Sequence, residues 1–323
     1  MPEPAAPRHP IRIGAAFWVQ KTDWPSLREA ALAAEAGGAE DLWIDDHLLT
    51  DEGESDAPKL EGWSTLAALA AVTTRSRLGL LVAANTFRNP GLTAKIATTL
   101  DHVSGGRAIL GLGGGWFERE HDAFGIDFAN GMGERLDRLD ESVGLIRRLL
   151  DGEPVTHKGR FYEMTDALCR PRPIQARLPI LIGGSGPRKT LRTTAAYADM
   201  WNAFGEPEAI AASNAVLRSH CQDLGRDERE IARTVTQDAV IRDKDGAALA
   251  VYDELSAIHG LAAKTAAAGG ERYMRLIGPP RDLAERLREY EAVGVDEVMW
   301  VFRHPFDLET IERVGEVRAA LAG

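Results

Sequence analysis

The sequence predicts one α/β domain, a (β/α)8 barrel of the TIM type, in which eight parallel strands close on themselves and a helix follows each strand. Short apolar runs alternate with helical patterns eight times along the chain. No linker or change of composition divides the 323 residues, and a barrel of about 250 residues with insertions accounts for this length. An open parallel sheet would also alternate in this way, but the eightfold repeat favours the closed barrel.

The strand predictions rest on runs that are almost entirely apolar, which is typical of strands buried on both faces of a sheet. The first run, IRIGAA, begins with β-branched residues, and the second, DLWIDD, ends in charged ones. In chain order the predicted strands are residues 11–16, 41–46, 77–83, 107–115, 178–184, 199–205, 231–242 and 296–303.

The predicted helices are bounded by capping residues. We expect Ser26 to cap the first helix and Gly37-Gly38 to end it, and we expect Asn89 to cap the third. The helical patterns cover residues 26–38, 63–75, 89–106, 134–152, 187–198, 207–225, 281–294 and 307–321. Insertions are predicted near 116–133, 153–177 and 246–276. Residues 155–164 of the second insertion resemble a hairpin, and the third is Ala-rich and helical in pattern.

The composition indicates the extent of the domain, the class of partner and the cellular compartment. We expect residues 1–10, MPEPAAPRHP, to be a short disordered lead and residues 11–323 to be the single barrel domain. The lead has no apolar signal-peptide core, and no run approaches the roughly 20 apolar residues of a membrane span. The net charge of −11 disfavours nucleic acid as a partner. Cys169 and Cys221 form no disulfide framework, which indicates a cytoplasmic protein.

Chemistry in such a barrel is expected at the carboxyl ends of the strands, and the second strand ends in Asp45-Asp46-His47. His47 can act as an acid, a base or a hydrogen-bond donor, and the alternative is a partly exposed histidine in a turn. Side chains alternate along a strand, so one aspartate faces the mouth, and we expect it to be Asp46. Glu61 either caps the next helix or turns inward to within reach of His47. No metal is expected, because His47 lacks companion ligands from other strands.

Two neighbouring strands end in glycine-rich turns, GLGGGW at 111–116 and GGSGP at 183–187. Glycine lets a ligand approach the backbone, and the second turn opens a helix with unpaired amides. Arg188 and Lys189 follow in the first helical turn, where cations oppose the helix dipole unless an anion lies nearby. We therefore expect the amides of Gly184, Ser185 and Gly186 to bind a phosphate, although glycine also simply ends strands.

The third strand runs into AANTFRNP at 83–90, where Asn85 and Thr86 are polar groups that emerge from an apolar strand. Such groups orient ligands in many pockets, so Asn85 is a candidate for cofactor binding. A turn ahead of the next helix is an equally good explanation.

Four stretches resemble the bacterial luciferase-like superfamily, and within it the branch that uses coenzyme F420. They are DLWIDDHLL, EGWSTLAALAAVTTRSRLG, FRNPGLTAKIATTLDHVSGGRAILGLGGGWFEREHDAFG and RPRPIQARLPILIGGSGPRKTLRTTAAYADMWNAFG. The features that carry the resemblance are Asp-His after the second strand, SGGR before the fourth and GGSGPRKTLR after the fifth.

The resemblance implies a deazaflavin held with its ring at the mouth of the barrel. His47 would lie beside the reactive ring, with Asp46 at the cofactor or supporting His47. A bulge at Leu81-Val82, where relatives have a non-proline cis peptide, would back the ring. The implied cofactor contacts are completed by Gly114 and Gly115 beside the ring, and by Gly183, Gly184, Ser185, Gly186 and Pro187 at the phosphate.

The same resemblance includes one departure. Some sugar-phosphate dehydrogenases of this branch have an acidic glutamate directly after the glycines of the fourth strand, where this chain has Trp116. Tryptophan cannot supply a proton, so proton chemistry would fall to His47, Glu61 or water. This makes a sugar phosphate a doubtful substrate.

The sequence therefore predicts an oxidoreductase that moves a hydride between F420 and a small organic molecule. A deazaflavin carries hydrides but handles oxygen chemistry poorly, so the identity of the cofactor decides the reaction class. The enzyme alternative is a flavin mononucleotide (FMN)-dependent monooxygenase. The non-enzyme alternative is a flavin-binding protein without catalysis, which His47 and the two glycine turns disfavour. We expect a homodimer, with the substrate selected by the loops after strands 1, 4 and 7.

Overall fold

A computed structural model of the chain describes residues 10–52, 56–261 and 275–323. Its strands are β1 (Arg12–Trp18), β2 (Asp41–Ile44), β3 (Arg77–Leu80), β4 (Ala83–Ala84), β5 (Ala108–Gly113), β6 (Val155–Lys158), β7 (Glu163–Ala167), β8 (Ile180–Gly183), β9 (Met200–Ala203), β10 (Ala232–Ile241), β11 (Arg275–Gly278) and β12 (Glu297–Arg303). Eight of them pair in parallel in the order β1-β2-β3-β5-β8-β9-β10-β12, and β12 pairs with β1. The predicted closed barrel is confirmed.

The remaining strands are additions to this ring. β4 continues the line of β3 and pairs with β5, while β11 lies beside the carboxyl end of β10. β6 and β7 form the antiparallel hairpin that the sequence predicted inside the second insertion. Residues 1–9 of the predicted disordered lead and 262–274 of the third insertion lie outside the described residues. That residues 11–323 act as one domain stays a prediction.

Helices cover the outside of the barrel, and side chains cap the starts of some of them. They are α1 (Trp24–Gly37), α2 (Gly62–Val72), α3 (Pro90–Ser104), α4 (Glu118–Phe124), α5 (Met132–Leu150), α6 (Thr190–Tyr197), α7 (Pro207–Asp223), α8 (Asp245–Ile258), α9 (Pro280–Ala292), α10 (Leu308–Glu312) and α11 (Val314–Ala322). Asn89 caps α3 as expected. The prediction for α1 was wrong: Asp23 is the cap, and its carboxylate accepts the amide of Ser26. Within the described ranges, none of the helices combines the length and apolar character that a membrane span requires.

The barrel interior is filled by buried apolar side chains that its strands direct inward, because alternate residues of a strand face inward. This inner layer consists of Ala16, Trp43, Leu81, Ile109, Leu181, Met200, Met299 and Val301. Trp43 is the largest of them, and a Cβ on Gly79 would lie 2.5 Å from its ring. The packed layer closes the barrel from below, so that a cavity forms above it at the carboxyl ends of the strands.

The closest backbone approach in the barrel wall lies between β3 and β5, and it generates a stability prediction. A Cβ on Gly111 would lie 1.9 Å from the carbonyl oxygen of Leu80. Because that oxygen belongs to the backbone, no change of side-chain rotamer can relieve the clash. We expect Gly111→Ala to lower the free energy of unfolding by about 3 kcal/mol or more, measured by urea denaturation. Gly246→Ala is the matched control, because Gly246 lies in α8 with open space at its Cβ position. Equal stability of the two variants would contradict the packing described for this wall.

Candidate active site

A cavity of about 770 Å³ opens at the carboxyl ends of the barrel strands. Ten of the predicted site residues line it: Asp46, His47, Leu81, Val82, Gly114, Gly115, Gly183, Gly184, Ser185 and Gly186. Glu61, Asn85 and Pro187, which were also predicted, are not among its lining residues. The structure therefore brings together most of a candidate site whose parts lie up to 140 positions apart in the chain.

His47 is held by a carboxylate that the sequence reading missed. Its Nδ1 donates to Glu120 Oε1 over 3.0 Å, and Glu120 Oε2 accepts the amide of Leu48 over 2.8 Å. Glu120 lies in the first turn of the short helix α4, and its side chain is only 1% exposed. One buried carboxylate thus fixes both the ring of His47 and the backbone that follows it.

The surroundings of His47 favour its protonated form. Burial by itself would lower the pKa of the imidazole, but the hydrogen bond to Glu120 and the negative charges of Asp45 and Asp51 raise it above the ordinary value. Because Nδ1 is committed to Glu120, the proton that can be exchanged with a ligand is the one on Nε2. The ring also contacts Trp116 edge-on, with 5.3 Å between the ring centroids.

Asp46 is buried beside an arginine from the loop after β4. Its carboxylate accepts from Arg88 Nη1 at 2.6 Å and Nη2 at 3.1 Å, and from the amide of Ala84 at 3.2 Å. Complete burial raises the pKa of Asp46 to about 6, although Arg88 acts in the opposite direction. Asp46 thereby ties the end of β2 to the end of β4.

Glu61 acts as a helix cap, the first of the two roles considered for it. Its carboxylate accepts the amides of Trp63 and Ser64 at the start of α2, and it also accepts from Arg88 over 2.9 Å. Capping and the ion pair occupy both oxygens of Glu61, so the structure places it behind Asp46 and outside the cavity lining.

One wall of the cavity is formed by Val82 and the glycines around it. The peptide bond Leu81-Val82 is cis, as predicted. A Cβ on Gly113 would lie 2.7 Å from a Val82 methyl carbon, and a Cβ on Gly183 would lie 3.1 Å from both. Glycine at these strand ends therefore makes room for Val82, which presents its branched side chain to the cavity beside bare backbone. A wall of this kind suits a flat ring.

The turn after β8 contributes backbone amides, though not all of those predicted. The Gly184 amide donates to the carbonyl of Asn202, and the indole of Trp201 donates to the Gly184 carbonyl. The expectation that the Gly184 amide binds phosphate was wrong for this reason, since the sheet already uses that donor. Among the described residues, the amides of Ser185 and Gly186 donate to no protein acceptor. Both residues line the cavity together with Thr190, at the start of α6.

The two basic residues after this turn do not face the cavity. Lys189 Nζ donates to the carbonyl of Gly133 and pairs with Asp137 on α5. Lys189 therefore tethers α5 to the start of α6, and its charge needs no ligand anion. Arg188 is exposed and lies outside the lining of the cavity.

Asn85 organises a loop at this end of the barrel. Its side-chain amide donates to the hydroxyl of Tyr162, which precedes β7. The neighbouring Thr86 hydroxyl contacts His121 Nε2 over 2.7 Å, so the loop after β4 also holds α4. The turn explanation for these polar residues, rather than direct ligand contact, agrees with their positions.

Comparisons with known proteins identify the family. A model for the luciferase-like monooxygenase family matches residues 8–297. The chain belongs to this family. An F420-dependent glucose-6-phosphate dehydrogenase from Amycolatopsis mediterranei is 37% identical over 179 residues, which cover 55% of this chain and 53% of the relative. A second such dehydrogenase, from Kineococcus radiotolerans, is 33% identical over 230 residues, covering 70% and 67%. The chain thus spans about half to two thirds of the length of these curated relatives.

Solved structures agree with this luciferase-like fold. An F420-dependent secondary alcohol dehydrogenase in complex with an F420–acetone adduct superposes with a TM-score of 0.82 at 18% identity, covering 97% of this chain and 99% of that one. The F420-dependent tetrahydromethanopterin reductase from Methanopyrus kandleri gives 0.77 at 22% identity, covering 95% and 98%. An EDTA monooxygenase from Chelativorans gives 0.81 at 16% identity, covering 97% and 94%. At these identities the likeness shows the fold alone.

Two residues of this luciferase-like site, Glu120 and Arg88, escaped the sequence reading. Glu120 follows the glycine turn by one short helical turn, and Arg88 lies between an expected turn and an expected cap. An acidic residue in a short helix that follows a glycine-rich strand end is a sequence signal that could have identified Glu120. Their partners, His47 and Asp46, are about 40 to 70 positions away, so only the folded chain reveals the pairs.

The contact between His47 and Glu120 generates a testable pKa prediction. We expect Glu120→Gln to lower the pKa of His47, because the amide removes both the negative charge and the charged hydrogen-bond acceptor. NMR titration of histidine-labelled protein measures this. Glu118→Gln, an exposed position in the first turn of the same helix, should leave the titration unchanged. An unchanged His47 pKa in Glu120→Gln would show that the contact is not made in solution.

Proposed function

We propose that this luciferase-like protein is an oxidoreductase that transfers a hydride between coenzyme F420 and a small organic substrate. The relatives named as F420-dependent dehydrogenases support the choice of cofactor. The observation that carries the proposal is a single cavity with three features. It joins a glycine-and-valine wall, two amides without protein acceptors at a helix start, and a histidine held by a buried carboxylate.

The residues present fit the cofactor. Val82 with Gly113 and Gly183 would form the surface against which a deazaflavin ring lies, because the two glycines present backbone beside the Val82 side chain. The Ser185 and Gly186 amides and the Thr190 hydroxyl would bind the phosphate at the positive end of the α6 dipole. Among the described residues, no group of three metal ligands competes for this space.

Bound F420 would supply a two-electron hydride donor or acceptor, and the chain would supply proton transfer and orientation. His47 Nε2 gives a proton to the substrate oxygen during reduction and takes it back during oxidation. Glu120 orients the imidazole and stabilises its protonated form. Asp46, fixed by Arg88, lies next to His47 in the chain and lines the same cavity.

We also propose that the protein is a cytoplasmic homodimer. Both cysteines are buried and free, which agrees with a reducing compartment. Four large apolar side chains are exposed on α3 and on the segment that packs against it: Leu92, Val103, Leu168 and Ile174. A second copy covering this surface would remove them from water.

Cofactor binding tests the proposal directly. We expect the purified protein to bind F420 more tightly than FMN in a fluorescence titration. Gly186→Ala should weaken F420 binding about tenfold, because the new Cβ would lie 2.7 Å from the Thr190 hydroxyl oxygen and crowd the phosphate position. Gly246→Ala, at a position in α8 outside the cavity lining, serves as the control. Preferential binding of FMN would favour the monooxygenase alternative, and binding of neither cofactor would refute the proposal.

His47 is the residue on which the chemistry depends. We expect His47→Ala to lower the single-turnover rate of hydride transfer by about 10²–10⁴ at saturating cofactor, because acid–base assistance is lost. The activity of the wild-type protein in ketone reduction should fall as the pH rises through the raised pKa of His47, since the proton donor is then lost. Stopped-flow measurements across pH check both. A normal rate at saturation would assign His47 to binding alone.

A further inference from the structure

The charges of the cavity identify the class of substrate. We infer that the substrate is an uncharged, largely apolar alcohol or ketone, and that the site rejects substrates bearing phosphate or carboxylate groups. This inference rests on the proposed function, because it concerns the substrate side of the same cavity. It follows from the ion pairs of Arg303, from the surrounding carboxylates and from the apolar surface at the mouth of the cavity.

Among the residues that the structure describes, Arg303 is the arginine in the cavity lining that an anionic substrate would use, and two carboxylates already neutralise it. Its Nε and Nη2 donate to the two oxygens of Glu52 at 2.8 and 3.1 Å, and its Nη1 donates to Asp238 at 2.6 Å. Gln20 also donates to Glu52, and the hydroxyl of Tyr252 donates to Asp238. Two carboxylates around one guanidinium leave an excess negative charge, so this cluster repels an incoming anion instead of binding it.

Carboxylates also outnumber cations in the rest of the described cavity lining. Six carboxylates line the cavity: Asp45, Asp46, Asp51, Glu52, Glu120 and Asp238. Four groups that carry positive charge contact them in the described structure: Lys59, Arg88, Arg303 and His47. His259 Nδ1 also lies 3.9 Å from Glu52, but burial lowers the pKa of this histidine and favours its neutral form. Even with His47 protonated, the carboxylates outnumber these cations by two. A phosphorylated substrate would therefore enter a region of net negative charge that is partly shielded from water.

The surface above these charges is apolar and exposed. Trp116 and Phe204 are 57% and 58% exposed at the mouth, and Met132 is 47% exposed beside them. Trp18 and Val301 continue the apolar lining inward from β1 and β12. An apolar substrate covers this surface and gains the hydrophobic free energy of burying it, whereas a strongly hydrated one does not.

The cofactor phosphate does not conflict with this, because it would bind on a different side of the barrel. The amides of Ser185 and Gly186 follow β8, and β9 and β10 separate this strand from β12 in the barrel. Arg303 ends β12, and Asp238 lies in β10 beside it. One side of the mouth is thus suited to an anion and the other to an uncharged group.

The reaction that this site supports is balanced without a further reactant. Reduced F420, when bound, would supply the hydride and its two electrons to the carbonyl carbon of a ketone. The carbonyl oxygen gains a proton from His47, and the products are the secondary alcohol and oxidised F420. Neither the substrate nor the product carries a charge, which suits the surroundings of Arg303.

A matched pair of ketones tests the inference. Cyclohexanone and 3-oxocyclohexanecarboxylate share the reacting group and differ by one carboxylate. With reduced F420 we expect kcat/KM to be about 100-fold higher for cyclohexanone, because like charges repel the carboxylate. Binding of both ketones, and of glucose 6-phosphate, is measured separately on the same protein by titration calorimetry and by quenching of tryptophan fluorescence. Equal or tighter binding of the anions would overturn the inference even if no turnover occurred.

Variants of the Arg303 cluster test its cause. The double variant Glu52→Gln, Asp238→Asn releases the arginine charge, and we expect it to shift the preference at least about tenfold towards the carboxylated ketone. Asp127→Asn removes an arginine-paired carboxylate on the surface and should leave the preference unchanged. If the double variant does not fold, the binding of neutral and anionic ketones to the wild-type protein still tests the inferred substrate class. Loss of F420 binding would contradict the proposed function, whereas F420-dependent turnover that prefers anions would contradict only the substrate class.

Discussion

Val82 occupies the space between the ends of β3, β5 and β8, and the geometry of the cavity depends on that packing. A Cβ on Gly113 would lie 2.7 Å from one of its methyl carbons and a Cβ on Gly183 would lie 3.1 Å from both, so glycine at these strand ends makes room for Val82. Bare backbone beside one branched side chain produces a wall that can accept a ring. The inner layer headed by Trp43 closes the barrel beneath it, which leaves the carboxyl ends of the strands as the place for chemistry.

Buried ion pairs attach the loops to this wall. Asp46 with Arg88 connects the ends of β2 and β4, and Glu120 connects α4 to His47. Breaking such a pair would leave a charge in a region of low dielectric, so the pairs hold the loops in one arrangement. The Glu120 contact also sets the chemistry, because it raises the pKa of His47. The contact with Glu120 therefore determines both the position of His47 and its pKa shift.

Much of the fold was predictable from local pattern, whereas the site was predictable only in part. Alternating apolar runs predicted the eight strands, and glycines at strand ends predicted where a ligand approaches the backbone. Glu61 caps α2 and does not turn inward to His47, and no local sequence pattern decides between those two roles. The Gly184 amide was misassigned because its acceptor, Asn202, belongs to the next strand. Glu120 was missed because its role arises from a contact across 73 positions.

The central claim is direct hydride transfer between F420 and a carbon atom of an organic substrate in this cavity. Reduced F420 that carries deuterium at the transferred position tests it, with cyclohexanone as acceptor and mass spectrometry of the alcohol as the readout. The account predicts about one deuterium in each alcohol molecule, bonded to the former carbonyl carbon. Alcohol formed without the label, or oxidation of the cofactor by oxygen in place of the ketone, would contradict it.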